Sequence, residues 1–274
     1  MKELRDRVAV ITGAASGIGQ GLAERCAREG MRVVLADVEE EALRRVGAEL
    51  EGAGARVLCV RTDVSRAGDV EALAERTLSA FGAVHLVCNN AGVAAGGVAW
   101  EASSEDWDWV LGVNLLGVIH GVRTFVPRML AQDTEGHVVN TASLAGVLPF
   151  HPSAPYQVSK AGVVALTEQL HGSLKMRGAK VGASVLCPGW VRTRILDAAR
   201  NRPGGPPPPP VAPPTPAQVA MNAYLRQEVE AGMTPARVAD QVLAAVREQR
   251  LYVITHPEML GDVRTRMEAL LASA

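Results

Sequence analysis

The chain has 274 residues, 48% of them apolar, which is enough to bury a sizeable core in one large domain or two small ones. With 28 Lys and Arg against 29 Asp and Glu the net charge is -1, so the basic footprint of a nucleic-acid or anionic-membrane binder is missing. No apolar leader follows the start Met1-Lys2-Glu3-Leu4-Arg5, no apolar run nears the ~20 residues of a bilayer span, and Cys26, Cys59, Cys88 and Cys187 stand apart without metal-type spacing. A cytoplasmic protein with reduced core thiols, no metal, no membrane and no nucleic-acid partner is expected.

Short β-branched runs predict strands at 7–12, 32–36, 56–60, 84–88, 137–141, 180–186 and 251–254. Helical periodicity falls between them at 17–29, 39–53, 67–82, 104–131 and 156–177, with two more helices at 216–231 and 235–249. The strands are near-continuous apolar runs, the pattern that burial on both faces of a parallel sheet requires. Strand and helix alternate, so the expected architecture is α/β, a doubly wound parallel sheet of about seven strands with helices on both faces.

The first strand runs into Gly13-Ala14-Ala15-Ser16-Gly17-Ile18-Gly19 and then a helix. Glycines there permit a tight turn and let backbone N–H groups and a helix N-terminus approach a pyrophosphate, although a glycine-rich stretch alone is also ordinary turn chemistry. Asp37 closes the second strand, where a carboxylate can accept both ribose hydroxyls of an adenosine. That favours NAD over NADP, because Ser16 and Val38 stand where an arginine or lysine would receive a 2′-phosphate. Glu39, Glu40 and Glu41 add negative potential, and they also suit a solvated helix N-terminus. Asp63-Val64 after the third strand and Asn89-Asn90-Ala91-Gly92 after the fourth complete the sheet edge at which such folds bind ligands.

Tyr156 and Lys160 are four apart at the start of a helix and lie on one face. A phenol of pKa about 10 is a poor base at pH 7 unless a cation favours the phenolate, and a lysine beside it can supply that charge. An isolated Tyr-x-x-x-Lys is also an ordinary surface pair. Here Ser143 follows the fifth strand at the same sheet edge, and Asn114 sits among Val113, Leu115 and Leu116 on the long helix, where a polar side chain needs partners.

Together these residues resemble the short-chain dehydrogenase/reductase family. The match runs from Thr12-Gly13-x-x-x-Gly17-Ile18-Gly19 through Asp37, Asp63-Val64, Asn89-Asn90-Ala91-Gly92, Asn114, Ser143 and Tyr156-x-x-x-Lys160 to Pro188-Gly189-Trp190-Val191-Arg192-Thr193. The resemblance implies a Rossmann-type oxidoreductase domain over residues 1–274, NAD as cofactor, and an alcohol or ketone as small-molecule substrate. It implies a tetrad in which Tyr156 is the general acid/base and Ser143 orients the substrate oxygen. In the same scheme Lys160 binds the nicotinamide ribose and depresses the tyrosine pKa, and Asn114 holds a water. Cofactor contacts are implied for Gly13, Ser16, Gly17, Ile18, Gly19, Asp37, Asp63, Val64, Asn90, Ala91, Gly92, Tyr156, Lys160, Pro188, Gly189, Val191 and Thr193.

Substrate choice in the family resides after the sixth strand, here residues 194–226, where nine of the 16 prolines fall between Pro203 and Pro216. Polyproline is stiff and extended, so a semi-rigid flap is expected there, with display to an SH3-type partner as the alternative. Val93, Ala94, Ala95, residues 144–150 and Trp190 are the candidate pocket, mostly apolar, which points to a hydrophobic substrate. Trp100, Trp107 and Trp109 are expected to pack the long helix, and His151 to cap its loop. The helices at 104–131 and 156–177 are apolar on more than one face, consistent with a homotetramer or homodimer. An NADPH-linked carbonyl reductase and a non-catalytic NAD-binding regulator are the competing readings.

Overall fold

The structure, a computed structural model, describes residues 1–205 and 215–273. The run Pro206 to Pro210, and with it the expected stiff spacer, lies outside the described residues. The first half alternates β1 (Val8–Thr12), α1 (Gly17–Arg28), β2 (Arg32–Asp37), α2 (Glu40–Gly52), β3 (Val57–Arg61), α3 (Ala67–Phe81) and β4 (Leu86–Asn89). There follow α4 (Ser104–Leu111), α5 (Gly117–Ala131), β5 (Gly136–Thr141), α6 (Ala154–Met176) and β6 (Val181–Cys187). The chain closes with α7 (Pro216–Ala231), α8 (Pro235–Glu248), β7 (Tyr252–Ile254) and α9 (Leu260–Leu271).

All seven strands pair in parallel, in the order β3-β2-β1-β4-β5-β6-β7. Alternate strand residues feed two separate cores. Ala9, Ile11, Val33 and Leu35 pack with α1 and α8 residues such as Leu22 and Val242, while Val8, Val10 and Val34 pack with Leu73, Phe125 and Leu174 on the other face. Both faces are therefore covered, which is why these strands read as unbroken apolar runs. Strand order reverses between β1 and β4, and the carboxyl ends of the strands on either side of such a reversal splay apart into a crevice.

Two differences from the sequence expectation bear on the site. The helix expected at 104–131 is helical throughout but takes a wide π-turn at Gly112–Leu116, and Asn114 sits in the middle of it, fully buried. The inserted residue shifts the helical phase, but Val110, Val113, Leu115, Leu116 and Val118 make this stretch apolar on more than one face, so the shift leaves no visible break in the pattern. By length and composition this helix is apolar enough to cross a membrane, contrary to the expectation of no such segment, and half of its most apolar window is buried inside the fold. Helix α9 was not expected at all. None of its residues is buried, so it leaves no apolar stripe in the sequence.

Candidate functional site

A cavity of about 1370 Å³ runs along the carboxyl edge of the sheet, from Asp37 and Arg61 at one end to Phe150, Met221 and Met259 at the other. That is more room than one small ligand fills, and it suits a dinucleotide with a second molecule beside it.

At the first end the β1–α1 turn is shaped by glycine. Gly13 and Gly17 take φ of +68° and +56°, and a Cβ on Gly19 would lie 2.0 Å from the Gly13 carbonyl oxygen. Gly19 thus packs the turn on itself rather than lining the cavity, whereas Gly13, Ser16, Gly17 and Ile18 do line it. Ser16 at the N-cap of α1 makes no side-chain capping bond and no acidic residue stands in the first turn, so among the described residues the N-terminal N–H groups of α1 are left for an anionic ligand. Asp37 is held in place, its Oδ2 accepting from the Ala15 amide and its Oδ1 from the Glu39 amide, both at 3.0 Å. A glycine cradle, an uncapped helix end and an anchored carboxylate are the donor and acceptor set that a dinucleotide needs, so the residues fit the cofactor the resemblance implies.

Asn90 ties three strands together. Its backbone amide donates to Thr12 Oγ1 at 2.9 Å, its Nδ2 to the Thr12 carbonyl at 3.0 Å, and its Oδ1 accepts from Thr141 Oγ1 at 3.3 Å. Ala91 also donates to Thr12 Oγ1, at 3.1 Å, which fixes the wall that continues through Gly92. Asp63 closes its own turn by accepting from the Ser65 amide and hydroxyl, and Val64 lines the cavity beside it.

Ser143, Tyr156 and Lys160 meet at the middle of the cavity. Ser153 caps α6, its Oγ accepting from the Tyr156 amide at 3.3 Å, and one turn later Lys160 reaches inward, nearly all buried. Its Nζ donates to the Thr141 carbonyl at 2.9 Å and lies 5.5 Å from the centre of the Tyr156 ring. Burial lowers the lysine pKa to about 8. Burial also raises the Tyr156 pKa, with the Ser143 hydroxyl opposing that shift. The direction is opposite to the depression the resemblance implied: protein groups alone do not offset the desolvation of the phenolate.

Asn114 is fixed between two backbone groups and one hydroxyl. Its Oδ1 accepts from the Val93 amide at 2.8 Å, and its Nδ2 donates to the Val93 carbonyl at 2.9 Å and to Ser159 Oγ at 3.1 Å. With both amide hydrogens given to protein acceptors, it stands behind the cavity as a clamp between the β4 loop and α6. The Pro188–Gly189 peptide is pinned from both sides. Its carbonyl accepts from the Leu144 amide at 2.9 Å, and its N–H donates to Thr255 Oγ1 at 3.0 Å. Val191 and Thr193 line the cavity beyond it, and the Thr193 methyl packs on Gly17.

Of the candidate pocket residues, Val93, Ala94, Ala95, Leu144, Leu148, Phe150 and Trp190 all line the cavity. Trp109 lines it too, beneath the Arg202 guanidinium 5.5 Å away, instead of only packing its helix, and Trp100 is 84% exposed rather than packed on the long helix. His151 caps its loop, accepting from the Ser153 amide at 3.1 Å, and its ring also lies 5.0 Å from that of Tyr156. The supposed lack of arginine near Asp37 does not hold, for Arg61, Arg194 and Arg200 line the same end of the cavity, the last two arriving from more than 150 residues away. No local motif signals that contact.

The family model for short chain dehydrogenases matches residues 7–204. A short-chain dehydrogenase/reductase from Burkholderia phymatum, solved in complex with NAD, is 48% identical over all of this chain and 97% of its own, with a TM-score of 0.94. The 1-deoxy-11-beta-hydroxypentalenate dehydrogenase of Streptomyces exfoliatus is 42% identical over 70% of each chain. An actinorhodin polyketide ketoreductase solved with NADPH is 29% identical over 93% of this chain and 97% of its own, with a TM-score of 0.76. With a family model across most of its length and a full-length likeness to a solved member, the chain belongs to the short-chain dehydrogenase/reductase family of nicotinamide-dependent oxidoreductases.

Proposed function

We propose that this protein is an NAD-dependent oxidoreductase that interconverts a bulky, hydrophobic secondary alcohol and its ketone. The observation that carries the reading is the convergence of Ser143, Tyr156 and Lys160 in one cavity with an uncapped helix N-terminus and Asp37. A bound nicotinamide supplies or accepts the hydride. Tyr156 exchanges a proton with the substrate oxygen, Ser143 orients that oxygen by hydrogen bonding, and Lys160 holds the ribose and favours the phenolate. Asn114 keeps Val93 and Ser159 in register around them. A purely regulatory NAD binder has no use for the buried lysine beside the tyrosine.

Beyond the Ser143–Tyr156 centre the cavity is lined by Trp109, Leu148, Phe150, Trp190, Met221, Leu225 and Met259, together with Glu101. A neutral substrate with an alicyclic or aromatic body matches such walls. Hydrophobic secondary alcohols incubated with NAD should give rising absorbance in the NADH band. Turnover confined to small polar alcohols would refute the substrate class.

NAD is favoured by Asp37, whose carboxylate would face a 2′-phosphate. The competing NADPH reading is supported by Arg61, in register with Asp37 on β3 and without a carboxylate partner among the described residues. The 48% identical relative was solved with NAD, which weighs towards the first.

A homotetramer or homodimer built on α4–α6 accords with Leu116 and Val158, 46% and 49% exposed on those helices. Light scattering at micromolar concentration should return a multiple of the chain mass; a monomeric value would discard the assembly.

A further inference from the structure

Glu39 does not behave as a solvated residue at a helix start. Its Oε1 accepts from Arg200 Nε at 2.9 Å, from Arg200 Nη2 at 2.7 Å and from Asn201 Nδ2 at 2.9 Å. Arg194 Nη1 lies 3.8 Å from the other carboxylate oxygen. The remaining nitrogen of Arg200, Nη1, donates to the carbonyls of Arg194 at 3.1 Å and Asp197 at 2.9 Å. The short helical segment Ile195–Asn201 after β6 is thus folded around a guanidinium whose charge is committed to Glu39. Asp37 is joined to the same cluster, since it accepts the Glu39 amide, and Asp37, Glu39, Arg194 and Arg200 all line the adenosine end of the cavity.

We propose that Glu39 is a specificity-determining residue for the cofactor, because it holds Arg200 in an ion pair and so withholds the cation that a 2′-phosphate would need. The proposal rests on reading the cavity as a nicotinamide dinucleotide site. Arginine is the side chain best matched to phosphate, by its fixed fork of donors and its permanent charge. Here four of its five N–H groups are already engaged, two by the Glu39 carboxylate and two by carbonyls. A phosphate dianion arriving beside Asp37 meets two carboxylates and must displace one of them from Arg200, whereas a bare ribose needs only the Asp37 oxygens. Removing the Glu39 charge leaves Arg200 in the same place, still tied to the Arg194 and Asp197 carbonyls, with its charge free. Arg61 contributes equally before and after that change, so it cancels from any comparison between variants.

The test is the ratio of dissociation constants for NADPH and NADH, measured by fluorescence titration on wild-type protein, E39Q, R200M and E39Q/R200M, with circular dichroism melting to verify folding. Loosening of the Ile195–Asn201 segment would weaken both dinucleotides alike and leave the ratio unmoved, which is why the ratio is the readout. Wild-type protein is expected to favour NADH. E39Q should shift the ratio at least about tenfold towards NADPH, R200M alone, which strips the Glu39 carboxylate of its close partner, should shift it further towards NADH, and the double variant should return it to the wild-type value. An unchanged ratio in E39Q, or a shift that persists when Arg200 is also removed, overturns the proposal while leaving the dinucleotide reading intact. Wild-type protein that binds neither dinucleotide overturns the reading of the site itself, and a wild-type preference for NADPH overturns both the NAD assignment and the role of Glu39.

Discussion

Tyr156→Phe is expected to lower turnover by about 10³-fold while leaving NADH affinity within about twofold of wild type, the loss lying in the middle of the range that a positioned acid/base group contributes. The substitution removes one oxygen from a half-buried ring that packs against His151 and below Lys160, so it deletes the proton-exchanging group without opening the wall. The pH dependence follows from the shifts at the site. Burial raises the tyrosine pKa, so at neutral pH almost all of it is protonated, which is the form that donates to a ketone oxygen. Ketone reduction should therefore be nearly flat from pH 6 to 8. Alcohol oxidation needs the phenolate, whose fraction grows tenfold per pH unit below the tyrosine pKa, so its rate should climb with pH over the same interval. The climb should flatten above about pH 8, where Lys160 loses the charge that favours the phenolate. Steady-state profiles in both directions check this. Retained turnover in the phenylalanine variant, or a flat oxidation profile in wild type, would remove Tyr156 from the acid/base role.

Much of this site was legible in the sequence because its residues sit at the ends of strands, where position in the chain translates directly into position in space. Gly13 after β1, Asp37 closing β2, Asp63 after β3, Asn90 after β4, Ser143 after β5 and Pro188 after β6 all reach one sheet edge once the strands are parallel, and reading the strands sufficed to gather them. Tyr156 and Lys160 followed from helical spacing. What could not be read were contacts made by long side chains between distant segments. The Arg200–Glu39 ion pair spans 161 residues, and no periodicity or local pattern encodes it. The same holds for Arg202, whose guanidinium pairs with Asp106 and covers Trp109, so that a residue of the segment after β6 anchors to α4 and turns Trp109 into a cavity wall. The reversed direction of the Tyr156 shift has a different origin. Sequence reveals that a lysine is near but not how dry the pocket is, and dehydration is the larger influence on both groups.

Asn114→Ala is expected to destabilise the fold and to abolish turnover together, because this side chain is the mechanical link between two walls of the site. Its amide takes up both backbone groups of Val93 and one hydroxyl of α6, all in the interior. Alanine leaves the Val93 N–H and C=O buried without partners, at about 1–3 kcal/mol each. Set against a total stability of about 5–15 kcal/mol, a loss near 4 kcal/mol should lower the melting temperature by about 10 °C without preventing folding. The functional loss has a separate cause. Val93 follows Gly92, and a Cβ on Gly92 would be in ordinary contact, 3.5 Å, with both Asn114 Oδ1 and Lys160 Nζ, so the loop and the lysine are close neighbours across that glycine. Ser159, the other partner of Asn114, immediately precedes Lys160 and donates to the Tyr156 carbonyl at 2.7 Å. Releasing the clamp therefore frees the loop and the first turn of α6 at once, and the spacing of ammonium to phenol is no longer enforced. The π-turn that carries Asn114 serves the same end. Gly117 at its close packs on Val64, where a Cβ would lie 2.7 Å from Val64 Cγ2, and this holds the widened turn against the β3 loop. Thermal melting and turnover of the alanine variant, measured at a temperature where it is fully folded, separate the two effects. Full activity in the folded variant would reduce Asn114 to a structural residue, and an unchanged melting temperature would contradict the hydrogen-bond assignment.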